Sequence, residues 1–72
     1  MSKKDKLETK IRTNTRNVSL DEFETLVSLY GQIKMGGKHA KAVIGKATLT
    51  YKRVNPIPAE YVMDLLDIID SL

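Results

Sequence analysis

The chain has 72 residues, a net charge of +3 and neither cysteine nor tryptophan. A chain this short is one small domain or a fragment of one; it buries about 60% of its unfolded surface, and with no disulfide, packing or a partner must supply its remaining stability. Without thiols there is no cysteine nucleophile, one histidine does not build a His-rich zinc site, and the aliphatic runs are too short for a membrane span, so a soluble, cytoplasmic protein is expected.

Residues 1–17 carry six bases and two acids. Lys3, Lys4 and Lys6 look like the start of a signal peptide, but no apolar stretch follows them. Leu7 and Ile11 stand four apart among charged residues, the spacing of a short helix near 3–13. Thr13-Asn14-Thr15-Arg16-Asn17 then reads as a linker. The domain accordingly divides into a basic N-terminal helix and linker (1–17) and a core (18–72).

Residues 18–31 hold three acids and no base. Ser19-Leu20-Asp21-Glu22 is a capping box, and Val18 and Phe23 flank it as a hydrophobic staple. Leu20, Phe23, Leu26, Val27 and Tyr30 follow helical spacing over about 20–30, with the three acids near the positive end of the helix dipole. Gly31 stands where a left-handed residue would end the helix.

Residues 32–54 hold six bases and no acid. Ile33 and Met35 alternate with Gln32 and Lys34. Ala40, Ala42 and Ile44 alternate with His39 and Lys41, and Ala47, Leu49 and Tyr51 with Thr48, Thr50 and Lys52. Turns at Gly36-Gly37 and Gly45-Lys46 make three strands in two hairpins. If the aliphatic set faces the core, the opposite face collects Gln32, Lys34, His39, Lys41, Thr48, Thr50 and Lys52. Such a face attracts polyanions, nucleic acid among them.

The last segment opens with Asn55-Pro56-Ile57-Pro58, and Pro58 suits a first helical turn. Tyr61, Val62, Leu65, Leu66, Ile69 and Leu72 form one apolar stripe. Glu60, Asp64, Asp67 and Asp70 lie on other faces, solvated rather than arranged for a metal. Asp70 sits against the negative end of its own helix dipole. The order α-α-β-β-β-α gives a two-layer α+β domain with a three-stranded antiparallel sheet, similar to the double-stranded-RNA-binding fold.

For chemistry, Gly45-Lys46 lacks the other residues of a phosphate-binding P-loop, and no dinucleotide fingerprint occurs. His39 remains, beside Gly36, Gly37, Lys38 and Lys41. An imidazole exchanges protons near neutral pH, and neighbouring lysines can hold a phosphate and stabilise the charge that builds on it. RNA cleavage needs a base for the 2′-hydroxyl, cations for the phosphate and an acid for the leaving oxygen. An RNA-binding module without catalysis would use the same face, and a purely protein-binding module would show no affinity for RNA at moderate salt.

Over roughly residues 7–70 the chain resembles the HicA-type toxins, small ribonucleases paired with HicB antitoxins. The resemblance rests on Lys10-Ile11-Arg12, on Asn17 through Phe23, on Leu26 with Tyr30-Gly31, on Gly37-Lys38-His39, and on Asn55-Pro56-Ile57-Pro58-Ala59-Glu60-Tyr61-Val62. It implies an mRNA-cleaving toxin, independent of metal and small-molecule cofactors, with His39 as the catalytic histidine and a HicB-like antitoxin covering the site. The family typically has Ser directly before that histidine; this chain has Lys38. On this reading Lys34, Lys38, Lys41 and Lys52 bind RNA phosphates, and Thr48 and Thr50 are possible hydrogen-bonding neighbours of His39.

Overall fold

The computed structural model describes residues 3–72; Met1 and Ser2 of the basic N-terminal segment lie outside the described residues. Three helices and three strands follow in the expected order: α1 (Lys3–Thr13), α2 (Leu20–Tyr30), β1 (Gln32–Gly36), β2 (His39–Ile44), β3 (Ala47–Lys52) and α3 (Ala59–Asp70). The strands form one antiparallel sheet in the order β1-β2-β3. On it α2 packs against β1 and β2, α3 packs against β3, and α1 lies against α2. No described helix is long and apolar enough to cross a membrane.

Local chemistry sets the start of α2. Ser19 Oγ accepts from the Glu22 N–H at 3.1 Å, and the Glu22 carboxylate accepts from the Ser19 N–H at 3.1 Å. Both residues flanking the cap, Val18 and Phe23, are buried in the core. The next free amide, that of Leu20, donates to Asn55 Oδ1 at 3.1 Å, and the Ile57 N–H donates to the Val18 carbonyl at 3.0 Å. The loop before α3 is thereby tied to the first turn of α2. Pro58 stands one position earlier than expected. It is the N-cap of α3, with φ −57° and ψ 140°, and its carbonyl accepts from Tyr61 and Val62.

Gly31 does not adopt the left-handed conformation read for it. Its φ is −163°, which is extended backbone. The glycine answers to a tertiary constraint instead: a Cβ there would lie 2.0 Å from the Val43 carbonyl oxygen and 2.9 Å from Ile44 Cγ1. Only a residue without a side chain lets the chain leave α2 and enter β1 so close to β2. The two tight turns do use positive φ. Gly37 (φ 62°) and Gly45 (φ 60°) each stand first in a two-residue loop, and the lysines after them, Lys38 and Lys46, have no positive φ. That is the type II′ pattern, whose twist matches a hairpin.

The inner face of the sheet carries Ala40, Ala42, Ile44 and Tyr51, all buried, against Phe23, Leu26 and Val27 of α2 and Val62, Leu65, Leu66 and Ile69 of α3. Small alanines on the central strand let the helices approach, and Phe23 meets Tyr51 edge to face with centroids 4.8 Å apart. Ile11, 1% exposed, and Leu7 bring α1 into the same core. Two residues depart from their expected places: Leu72, at 68%, lies past the end of the α3 stripe, and Met35, at 63%, lies at the uncovered end of an edge strand.

Candidate nucleic-acid interface

Strand register decides which side chains of the outer face are neighbours. His39 pairs with Gly36 of β1 on one side and Lys52 of β3 on the other. Two residues along β2, Lys41 pairs with Lys34 and Thr50, and beyond it Val43 pairs with Gln32 and Thr48. Lys34, His39, Lys41, Thr48, Thr50 and Lys52 are all exposed while the residues between them on β2 and β3 turn inward, so the alternation read from the sequence holds. Residues directly opposite across strands have Cβ atoms about 5 Å apart. His39 is therefore flanked closely by Lys52, and Lys34 faces Lys41 directly.

The two threonines separate. Thr50 is diagonal to His39, whereas Thr48 stands beside Val43, four residues further along β2 and roughly 13 Å away by strand rise. Thr48 thus shares the face but is not a neighbour of the imidazole. Lys38 occupies the turn immediately before His39.

Beside His39 lies a shallow groove of about 240 Å³, lined by Lys34, Met35, Gly36, His39 and Lys41. Gly36 makes the opening: it stands directly opposite His39 with no side chain to fill the space between β1 and the ring. Residue-by-residue spacing does not show this groove. Its only cue is a glycine inside a strand pattern, which marks a close approach or an open site.

The charges are sorted between the layers. All nine acids lie in the helices, at Asp5, Glu8, Asp21, Glu22, Glu24, Glu60, Asp64, Asp67 and Asp70, and the strands contain none. Among the described residues the ion pairs use Lys10, Arg12 and Arg53, and none uses Lys34, Lys38, Lys41, Lys46 or Lys52. Nor does any described side chain hydrogen-bond to that of His39.

The helical acids serve the fold. Arg53 grips Glu24 through Nε (2.9 Å) and Nη2 (3.1 Å), and the buried Tyr51 hydroxyl donates to the same carboxylate at 2.6 Å. Arg53 first, then Tyr51, hold Glu24 below the usual carboxylate range, and burial followed by this hydrogen bond raises the Tyr51 phenol. A second chain runs from the Tyr30 hydroxyl to Glu8, from Glu8 to Arg12, and from Arg12 to Asp70 at 2.6 Å. Arg12 thereby answers the unfavourable place of Asp70 at the end of α3. Among the described residues, no group of three His, Asp or Glu is arranged to hold a metal ion.

The site thus brings His39, Lys52, Lys41 and Lys34 together with Gly36 on one acid-free surface, with Lys38 in the adjoining turn. Two of the three kinds of group that phosphodiester cleavage uses are together there: an imidazole, and cations at Lys52 across the strand and Lys41 along it. Compared with protein-family models, with curated proteins and with solved structures, the chain matches none.

Proposed function

We propose that the protein is a metal-independent endoribonuclease acting on mRNA, the toxin of a toxin–antitoxin pair as the HicA resemblance implies. One observation carries the reading. Lys34 faces Lys41 directly across β1 and β2, His39 faces Lys52 across β2 and β3, and no acid or ion-pair partner relieves them among the described residues. Two lysines directly opposed, as Lys34 and Lys41 are, destabilise a sheet. A face that breaks this rule without compensation suits a polyanionic ligand.

In this reaction His39 accepts the proton of a ribose 2′-hydroxyl as its oxygen attacks the adjacent phosphorus. The P–O5′ bond breaks, leaving a 2′,3′-cyclic phosphate on one fragment. The departing 5′-oxygen takes a proton from solvent or a lysine ammonium. Lys52 holds the phosphate and stabilises its developing charge, while Lys34, Lys38 and Lys41 bind neighbouring phosphates. An acidic partner of the HicB type would dock on the same face and bury His39, in the cytoplasm where mRNA is met.

The test is incubation of a long single-stranded RNA with the protein in EDTA, beside His39→Ala. Cleavage by the wild type, cyclic phosphate ends and an intact, folded, inactive variant are expected. Uncut RNA that both proteins still bind would instead support a non-catalytic RNA-binding module. Two observations favour that second reading: Lys38 stands where the family has serine, and no described side chain orients the imidazole.

A further inference from the structure

We infer that the groove over Gly36 is a subsite for one nucleotide next to the scissile phosphate, with Lys34 and Lys41 at its far end holding that nucleotide's outer phosphate. The inference rests on reading the face as an RNA surface and goes beyond it by giving the strand a position and a register. The scissile phosphate lies on the rung of His39 and Lys52. The next cationic rung, Lys34 with Lys41, is two residues along the strands, roughly 7 Å away, about one nucleotide step of an extended chain. Between them the surface is concave on the β1 side, where Gly36 is opposite His39, whereas Lys52 stands opposite it on the β3 side. The volume of about 240 Å³ suits a ribose or a single base and is too small for a folded cofactor. Beyond Lys41 the outer face continues with Val43, Gln32 and Thr48, which carry no charge. The cationic track therefore holds two successive phosphates.

Filling the groove tests this. Gly36 has no positive φ, and a Cβ there would meet nothing nearer than the His39 carbonyl oxygen at 3.7 Å. Gly36→Val thus fits the strand while its methyl groups occupy the subsite. The probe for binding is a fluorescent ten-residue 2′-fluoro oligouridylate, which has no attacking 2′-oxygen; the probe for cleavage is the corresponding RNA. Gly36→Val is expected to keep the thermal midpoint, to weaken binding at least fivefold and to slow cleavage by more. The double variant Lys34→Ala/Lys41→Ala is expected to weaken binding at least tenfold, while Lys46→Ala, in the turn at the opposite end of β2, changes it less than twofold. A folded Gly36→Val that binds and cleaves like the wild type overturns the subsite and leaves the nuclease standing. Should Gly36→Val unfold, the lysine variants decide: a double variant no weaker than Lys46→Ala overturns the proposal. If the wild type binds but does not cut, and Gly36→Val still loses binding, the groove stands as a nucleotide subsite, while the nuclease reading and the place of a scissile phosphate beside it fall. A wild type that binds no oligonucleotide at low salt overturns both.

Discussion

Replacing Gly31 by alanine puts a methyl group where the Val43 carbonyl oxygen already sits, 2.0 Å from the new carbon. Neither α2 nor β2 gives way without losing its own packing, since Val27 and Ile44 are both buried there. Gly31→Ala is expected to cost about 1–3 kcal/mol, the usual range for overpacking, measured as a lower urea midpoint with unchanged slope. Ser19→Ala, which removes the reciprocal cap of α2, is expected to cost about 1 kcal/mol in the same assay. These two residues mark how far single positions were legible in the sequence. The Ser19–Glu22 cap is made within four residues and follows from their order. The local meaning of Gly31 is a helix stop, whereas the strand that requires a glycine there is twelve residues further on. Thr48 and Thr50 looked equivalent by alternation, and only the register separates them.

At the scale of elements, the sheet and α1 each carry a conflict that can be measured. On the sheet, Lys34 opposite Lys41 is a repulsive pair. Lys34→Thr, which suits a strand, is expected to raise the unfolding free energy by about 0.2–1 kcal/mol while weakening RNA binding. Equal or lower stability would mean that the pair is harmless and carries no functional signal. The N-terminal helix depends on charge as well as on Leu7 and Ile11: Lys10 meets Glu22 at 2.6 Å, Glu8 accepts from Tyr30 and Arg12, and Arg12 reaches Asp70. The Tyr30 hydroxyl lowers Glu8, Lys10 lowers Glu22, and Arg12 lowers Asp70 from their ordinary values of 4.5, 4.5 and 3.8. Carboxylates depressed in the folded state stabilise it fully above their unfolded values, and that contribution disappears as pH falls through the folded ones. Amide exchange in α1, after correction for its intrinsic pH dependence, is therefore expected to be steady from pH 8 to 5 and to rise below about pH 4, ahead of β2. Arg12→Ala should produce the same loosening at pH 7. The elements themselves were legible from hydrophobic period and turn glycines. Arg12 and Asp70 are 58 residues apart, and nothing in the order of residues announces their meeting.

At the scale of the whole molecule, the fold divides the charge by layer, and a salt titration reads that division directly. The sequence already shows six bases without an acid over residues 32–54; the fold turns Lys34, Lys41 and Lys52 to one face and pairs Arg53 with Glu24 away from it. Lys46 lies in the turn at the far end of β2 from Lys38. Four cations, Lys34, Lys38, Lys41 and Lys52, are thus available to one bound strand. With Lys52 on one phosphate, Lys34 and Lys41 sharing the next and Lys38 in the turn on a third, neutralising three phosphates of a single strand gives a slope of log affinity against log salt of about −2, from roughly −0.7 per contact. All the aromatic side chains, Phe23, Tyr30, Tyr51 and Tyr61, belong to the helices or the inner face, so His39 is the one ring on the outer face for a base to stack upon. Binding should then depend weakly on base identity, because phosphate contacts carry no sequence information and stacking tolerates any base. Oligouridylate and oligoadenylate of equal length are expected to bind within a few-fold of each other, each with a slope near −2 that falls by about 0.7 in Lys52→Ala. A slope near zero, or a strong preference for one base, would show that the basic face is not what holds the RNA.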